Sequence, residues 1–398
     1  MRAFFSSLTI LLAASLILLW RWHGRHNDYA LLYDKISSYE GITTFGAGVT
    51  NYPINAPGKS KIEIQPLNAI PEYKILVTTN SSETFYFQDE VEFAGVVKVP
   101  PEFEDFSYKN YLASKGILAV SYTPTITVSK RSGSIFTRII KGKDEFNTVI
   151  RQIYPYKHSL LTSGMLLGVD AGFPKDFKED LRRAGLLHLV VVSGGNLVFV
   201  LTIFYKSLLY LRLNRILSFG VGVCSLLFYS FVVGFEPPVV RALIMTLIVL
   251  FSNTLERPNV SLKMLFVAAF AMVFVNPYLL LSASFQLSVG ASLGLIVFIP
   301  LISKWLRHIR IKGFLVDAGV TTLAAQLGVL PVLLYQFKNF SPLIIFSNML
   351  VSFVPAITTY LGLISGILGL IWLPLGQAVG WANYLCLEYF LLVVKVFS

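Results

Sequence analysis

Apolar and polar positions divide this chain into two kinds of material. From residue 187 onward, long apolar runs alternate with short polar breaks, at about 187–205, 216–235, 238–253, 262–275, 280–303, 314–337, 342–373 and 375–397. Each run is read as a helix crossing a bilayer, with Pro355 breaking the seventh. A further apolar segment, Ala3–Trp20, lies between Arg2 and Arg21. Its small residues Ala13-Ala14-Ser15 sit mid-run, not at the end where a peptidase would cut, so it reads as an uncleaved anchor with Trp20 and Trp22 at the interface.

Residues 23–147 follow another rule. Lys61-Ile62-Glu63-Ile64 and Glu90–Val99 alternate with period two, the mark of half-buried strands. Gly41–Thr50, Tyr73–Thr79, Thr84–Phe87 and Ile117–Val128 are further strand candidates, punctuated by Pro53, Pro57-Gly58, Pro66, Pro71 and Pro100-Pro101. One helix is expected over about Ser107–Lys115. Such a segment suits a small closed barrel of the oligonucleotide/oligosaccharide-binding (OB) type, with Tyr73, Phe85, Phe87 and Phe93 filling its core. Residues 148–186 form a connector. His158–Val169 is apolar but too short to span, which leaves a re-entrant or an interfacial helix, and Lys175–Arg183 mixes charges on a solvated helix.

Composition places the chain among membrane proteins: 55% of its 398 residues are hydrophobic, 14% are charged, and mean hydropathy is +0.65. The formal charge of +11 is unevenly spread. Residues 21–147 hold fourteen Lys/Arg against fourteen Asp/Glu, and residues 148–398 hold eighteen against eight, with Arg2 making up the total. Basic cytoplasmic loops account for that excess, so it does not by itself indicate nucleic acid. Lys206/Arg212/Arg215, then Arg257/Lys263, then Lys304/Arg307/Arg310/Lys312 alternate with the uncharged or acidic turns Glu236-Pro237-Pro238 and Asn276-Pro277-Tyr278. The alternation sets the basic loops inside and residue 186 outside, and with it the 23–147 domain. Cys224 and Cys386 both lie in apolar runs, which excludes a disulfide-rich scaffold, and the five histidines show no metal-site spacing.

Candidate chemistry lies within the apolar runs. Ser193-Gly194-Gly195-Asn196 interrupts the first of them, preceded by His188. A broken backbone in lipid needs protein or a wet cavity to satisfy its amides, and transporters meet their cargo at such breaks. A Gly/Ser kink for close packing is the alternative. Arg241 lies just inside a span, either paired, with Glu236 nearest in sequence, or snorkelling to the interface. Glu388 sits mid-span, as a functional acid or a hydrogen-bonded structural one. Ser284, Gln286, Ser288, Gln326 and Asn348 are polar positions in other runs, where an interhelical hydrogen bond is the ordinary role. Gly290/Gly294 and Gly362/Gly366 have the spacing of close helix contacts.

Several of these segments resemble the ComEC-type competence proteins, which move DNA inward across the bacterial cytoplasmic membrane. Gly185-Leu…Leu189-Val-Val-Val-Ser193-Gly-Gly-Asn196 is similar to the family signature, with Asn196 where many members have His. Phe106-Ser-Tyr-Lys-Asn-Tyr111-Leu112…Gly116-Ile117, Leu161…Met165-Leu-Leu-Gly168-Val-Asp170, Arg241-Ala-Leu-Ile-Met245, Asn276-Pro277…Ser284-Phe-Gln-Leu-Ser-Val-Gly-Ala291 and Gln326…Leu330-Pro331…Phe340-Ser-Pro342…Asn348 follow the family pattern in order, over about residues 30–355. The chain carries no His-x-His-x-Asp-His nuclease-like motif and no Gly-x-x-x-x-Gly-Lys-[ST] phosphate loop. A short form lacking the C-terminal metallo-β-lactamase-like domain is therefore expected, or a fragment.

The expected architecture is a polytopic α-helical membrane protein with about nine transmembrane helices, counting an anchor over residues 1–22. It adds a small extracytoplasmic OB-like β-barrel (23–147), the connector (148–186) and a competence-type channel domain (187–398). The resemblance implies a non-enzymatic channel in the cytoplasmic membrane for single-stranded DNA, without metal or cofactor. Its implied partners are a separate DNA receptor, ATPase or nuclease, and the chain could form a homo-oligomer. A transporter of another polar solute and a non-transporting scaffold are the rivals. The site residues so identified are His188, Ser193, Gly194, Gly195, Asn196, Arg241, Ser284, Gln286, Ser288, Gln326, Asn348 and Glu388.

Overall fold

The computed structural model describes residues 2–37, 41–51, 53–56, 59–67, 73–81, 83–102, 107–169, 173–190, 215–254, 261–308, 314–336 and 343–398. It divides into two compact units, Met1–Lys141 with Phe270–Ser282, and Gly142–Ala269 with Ala283–Ser398.

The first unit is built on a mixed sheet. Its strands are β1 (Thr43–Val49), β2 (Ile54–Ala56), β3 (Lys59–Pro66), β4 (Lys74–Thr79), β5 (Glu90–Gly95), β6 (Ile117–Tyr122) and β7 (Thr125–Lys130). The order is β6-β4-β3-β1-β5-β7, with β2 paired to β3. Period-two alternation decides which side chains face in: Val91 and Phe93 are buried while Glu92 is exposed, and Ile62 and Ile64 are buried beside Lys61 and Glu63. The pair β4–β6 is parallel. A parallel pair needs a crossover, and the helix α2 (Tyr108–Ser114) lies within it, its first turn capped by the Ser107 hydroxyl. Beyond β5 the backbone of Lys98 exchanges two hydrogen bonds with Val120 of β6, at 2.9 and 2.8 Å. The strand path that leaves β6 through β4, β3, β1 and β5 therefore returns to β6.

Three sequence readings need correction in this unit. The first helix, α1 (Arg2–Ser37), does not stop at residue 22. Tyr29, Leu32 and Ile36, at helical spacing, enter the sheet's apolar core beside Phe85, Phe93 and Tyr278. Thr84–Phe87 is not a strand. The amide of Tyr86 donates to the buried Asp89 carboxylate, which also takes the Ser132 amide and an ion pair from Arg131 at 2.7 Å. That network holds the segment as a turn with Gln88 at positive φ. Ile117–Val128 is two strands, reversing at Thr123 (φ 52°) and Pro124. Of the four expected core aromatics, Phe85 and Phe93 are fully enclosed, Tyr73 packs against the core, and Phe87 lies edge-on to Phe136.

The helical unit begins within α3 (Ile135–Ile153), which runs straight through the expected boundary at residue 147. Then come α4 (Tyr156–Leu167), α5 (Lys175–Arg183), α6 (Leu187–Val190), α7 (Arg215–Val233), α8 (Pro237–Thr254) and α9 (Ser261–Val275). A 3-10 turn, Pro277–Leu281, precedes α10 (Ala283–His308). The chain then forms α11 (Phe314–Gln336), α12 (Leu343–Val351), α13 (Val354–Ile371) and α14 (Leu373–Phe397). The apolar runs from 216 onward are therefore helical, with ends within a few residues of those read from the sequence. Among the described residues, four stretches are long and apolar enough to cross a membrane: Ala283–Leu306, Val316–Tyr335, Phe346–Ile371 and Leu373–Phe397. The break in the third falls at Ser352–Phe353, and Pro355 sits in the first turn of α13, where its missing amide costs no hydrogen bond.

Glycines set the closest helix contacts. A Cβ on Gly290 would lie 2.8 Å from the Gly328 carbonyl oxygen, and one on Gly294 would collide with Ala324 and Gly328. In the same way Gly376 of α14 approaches Gly369 of α13. Such contacts let backbones touch where lipid offers no hydrophobic driving force between helices. The short helix α4, apolar on nearly every side, is buried continuously from His158 to Leu167. It is therefore packed against its neighbours over its whole length after the first turn.

Candidate functional site

Three polar clusters lie within the helical unit. The first surrounds Arg241, in the first turns of α8. Its Nε donates to Ser288 Oγ at 2.8 Å, its Nη1 donates to Ser292 Oγ, and the same nitrogen lies 3.6 Å from Met245 Sδ. Ser288 and Ser292 are one turn apart on α10 and buried, so a single α10 face receives the guanidinium. Its partners are hydroxyls, not the Glu236 carboxylate that sequence proximity suggested. A hydroxyl solvates a cation without neutralising it, so the site keeps its positive charge.

The antiparallel register of α10 and α11, Gly290 against Gly328 and Gly294 against Ala324, sets Gln326 level with Ser292. Gln326 Oε1 is buried without a hydrogen-bond partner among the described residues. Gln286 lies about 9 Å further along the axis at 1.5 Å per residue. Ser284 and Gln286 are half-buried in the first turn of α10.

The second cluster positions the chain ahead of the signature. Gly185 follows α5 at φ +70°, and a Cβ there would fall 2.5 Å from Ile344 of α12. Ser347 Oγ donates to Ala184 O at 2.7 Å, and Asn348 Nδ2 donates to Ile344 O at 2.8 Å and Gly185 O at 3.4 Å. Two consecutive polar residues of α12 thus hold the turn from which α6 starts. His188 is exposed on α6, and Gly164 of α4 lets the Val190 carbonyl approach to 2.7 Å of where a Cβ would stand. Ser193, Gly194, Gly195 and Asn196 lie outside the described residues.

The third cluster contains Glu388. Its Oε2 is 2.7 Å from Nε2 of His158, whose ring stacks on Tyr384 with centroids 4.5 Å apart. One turn away, Tyr154 Oη is 2.7 Å from Ser365 Oγ and accepts from Asn383 Nδ2 at 3.2 Å. A Cβ on Gly362 would touch Thr162 and Leu166, so the absent side chain makes room for this seam between α4, α13 and α14. His158, Ser292, Ser347 and Asn383 were not foreseen as site residues. Isolated polar residues in apolar runs carry no local signal of what they meet 47 to 230 positions away. Lys143 is a fifth such case. Burial pulls its ammonium down to about 8, against Asp144, which pulls it up, and it donates to Val232 O at the C-terminal end of α7 at 2.6 Å. Among the described residues no three His, Cys, Asp or Glu side chains are grouped as a metal site would require.

A family model described as competence protein matches residues 165–398, more than half the chain, and of the residues above leaves out Lys143, Asp144, Tyr154, His158, Thr162 and Gly164. The chain belongs to the Competence family. The family's stretch thus contains Arg241 with Ser288 and Ser292, the Gly185 turn with Asn348, and Glu388. ComE operon protein 3 of Bacillus subtilis is 28% identical over 228 residues, which is 55% of this chain and 28% of that protein. An uncharacterised protein of Aquifex aeolicus is 33% identical over 129 residues, 31% of this chain and 29% of its own length. The matches thus span under a third of either relative. No solved structure matches the chain.

Proposed function

We propose that the helical unit is a conduit that passes single-stranded DNA across the cytoplasmic membrane during natural transformation. The observation that carries this reading is Arg241: a cation within an apolar helix, held by two serine hydroxyls and left with its charge. An intramembrane charge is costly and marks an ion or substrate path, and cationic side chains line pores for anions and phosphates. One such residue attracts a polyanion without trapping it, as conduction requires. Ser193-Gly194-Gly195-Asn196 completes the path as a neutral break in the first span, with His188, Ser284, Gln286, Ser288, Gln326, Asn348 and Glu388 as further polar positions along it.

In this arrangement about nine helices cross the membrane, and the sheet unit stands on the extracytoplasmic side. Its strand order, its parallel β4–β6 pair and the Lys98–Val120 bridge support an OB-like closure. The chain supplies the passage, and a separate receptor, ATPase or nuclease supplies capture and drive.

The test is uptake of labelled single strands by cells expressing variants at matched membrane levels. Arg241→Gln is expected to lower uptake at least about tenfold, equivalent to about 1.4 kcal/mol, and Arg241→Lys to lower it less. The pair Gly194→Leu with Gly195→Leu restores a continuous helix, gaining up to about 1 kcal/mol of propensity at each position, and is expected to block uptake while insertion persists. Parental uptake by both Arg241→Gln and the leucine pair, at normal insertion, would sink the conduit reading.

A further inference from the structure

His158 and Glu388 are 230 residues apart in sequence and 2.7 Å apart in the fold. The two are unequally placed. The imidazole on α4 is buried, with 9% of its side chain exposed, whereas 56% of the Glu388 side chain is exposed on α14. An ionised carboxylate only accepts hydrogen bonds, so with Glu388 ionised the imidazole nitrogen facing it, Nε2, carries the hydrogen. The other nitrogen, Nδ1, is then a bare lone pair. It is buried and without a partner among the described residues.

It is not alone. The α13–α14 register, Gly369 against Gly376 and Gly362 against Asn383, sets Thr358 at the height of Leu387 and Glu388. Thr358 Oγ1 is fully buried and has no partner among the described residues, and the same holds for Asn383 Oδ1 one turn away. Three unsatisfied polar atoms therefore line one seam, beside the bonded trio of Tyr154, Ser365 and Asn383. Each unmet group costs about 1–3 kcal/mol. A seam that keeps three of them beside a histidine–carboxylate pair is built to receive a hydrogen-bond donor that comes and goes.

We propose that His158, Glu388 and this seam form a proton-binding site within the helical unit. In the unloaded state the neutral imidazole donates Nε2–H to the ionised carboxylate, and the pair carries a charge of about −1. Loading adds one proton to Nδ1: an N–H bond forms, no other bond breaks, and the pair becomes an imidazolium–carboxylate with no net charge. The proton is held at the buried Nδ1, within the polar seam, and Glu388 is the more exposed partner of the pair. This switches a negative charge on and off inside the unit, which is a means of admitting or repelling an anion. The site stands whatever the cargo.

Among the described residues no group of the surrounding elements bonds Nδ1, and α3, packed against α13 and α14, brings Lys141, Lys143, Asp144, Glu145 and Arg151, with Tyr154 just after it. Helices α12 and α13 bring only Tyr360 as a titratable group. Helix α14 adds Tyr384, which stacks on the imidazole, Cys386, Tyr389 and, two turns on, Lys395. Helix α7 brings Tyr229, whose hydroxyl donates to Leu166 O, with Cys224 and Arg215 farther along, and α6 brings His188. On α5, Phe177 and Leu181 face inward, while Glu179 is engaged by Arg182 and Arg183 and the remaining charges are Lys175, Asp176, Lys178 and Asp180. Lys157, next to His158, lies over the Phe177 ring.

The test is nitrogen-15 NMR of the full chain in lipid nanodiscs with labelled histidines, the His158 signals being assigned by their loss in His158→Gln. The expected result is a reversible change at His158 across the pH range in which the protein stays folded, with Nδ1 going from bare to protonated. In Glu388→Gln that change is expected to move or vanish, because the carboxylate that favours the imidazolium is gone. A His158 that keeps a single protonation state across that range in the parent chain overturns the proposal, whether or not the variant folds. An unchanged midpoint in a folded Glu388→Gln protein overturns it as well.

Discussion

The sheet unit and the helical unit treat buried polar groups in opposite ways. Around the sheet, the buried Asp89 is met by two amides and an arginine, and Thr79 and Ser121 reach backbone carbonyls. Tyr33 Oη is the one buried side-chain atom there without a partner among the described residues. The helical unit holds five: His158 Nδ1, Ser230 Oγ, Gln326 Oε1, Thr358 Oγ1 and Asn383 Oδ1. Satisfied polar groups define a fold, whereas unsatisfied ones weaken it and persist where something else is gained. On the proposed function, the contrast fits a sheet unit that serves as scaffold and a helical unit that meets the cargo.

The largest expected effect breaks the scaffold alone. Phe85 is fully enclosed among Ile62, Ile75, Val91, Phe93 and their neighbours. Phe85→Ala removes that packing and leaves a cavity, at about 3–5 kcal/mol. Urea titration followed by aromatic fluorescence should show an early transition in the variant, while the helical unit keeps its parental transition. A single shifted transition would mean that the two units unfold as one, and the contrast between them would then be one of composition only.

Next comes the α10–α11 contact. Gly328 meets the backbone of Gly290 and Gly294, so no flexible side chain can give way. Gly328→Leu must push the helices apart, at about 3 kcal/mol or less. The expected outcome is reduced membrane accumulation, with Gly328→Ala milder. The shift also separates Gln326 from Ser292, so uptake per inserted molecule should fall. Normal accumulation and uptake in the leucine variant would show that the two helices do not depend on this contact.

What the sequence disclosed follows the same division. Period-two alternation located β3 and β5, runs punctuated by Pro and Gly located β1 and β4, and apolar runs located α7 to α14, because burial of one face or all faces writes itself into consecutive residues. The spacing of Gly290 and Gly294 pointed to a close helix contact, and Gly328 and Ala324 supply the other side. Arg241 and Ser288 were both legible as polar intruders, but that they meet was not. Tertiary pairing leaves no local trace, and Ser292 looks like any serine in a helix. The α1 extension went unread because Asp28, Asp34 and Lys35 interrupt the spacing of Tyr29, Leu32 and Ile36. Amphipathic α3 went unread for another reason: a boundary placed at 147 cut its periodicity in two. Pro124 did announce the turn between β6 and β7, within a stretch apolar enough to pass for one strand.

The smallest expected effect has the most distinctive sign. Thr358 Oγ1 is buried and meets no partner, so Thr358→Val replaces an unmet hydroxyl with a methyl group of nearly the same size. A polar group buried without its hydrogen bond costs about 1–3 kcal/mol, and an apolar replacement of the same shape recovers part of it. In lipid the gain is smaller, because the unfolded reference also sits in an apolar medium. About 1 kcal/mol of added stability is expected, read as a higher thermal midpoint of the purified chain in detergent. A matched change in the sheet unit, Thr79→Val, removes a hydroxyl that does donate, to Pro124 O at 3.3 Å, and should destabilise by a similar amount. Opposite signs from the same chemical change would show that the helical unit keeps Thr358 at a cost to its own stability. If Thr358→Val instead destabilises as Thr79→Val does, the hydroxyl is already satisfied by a resident water, and the seam is structural at that position.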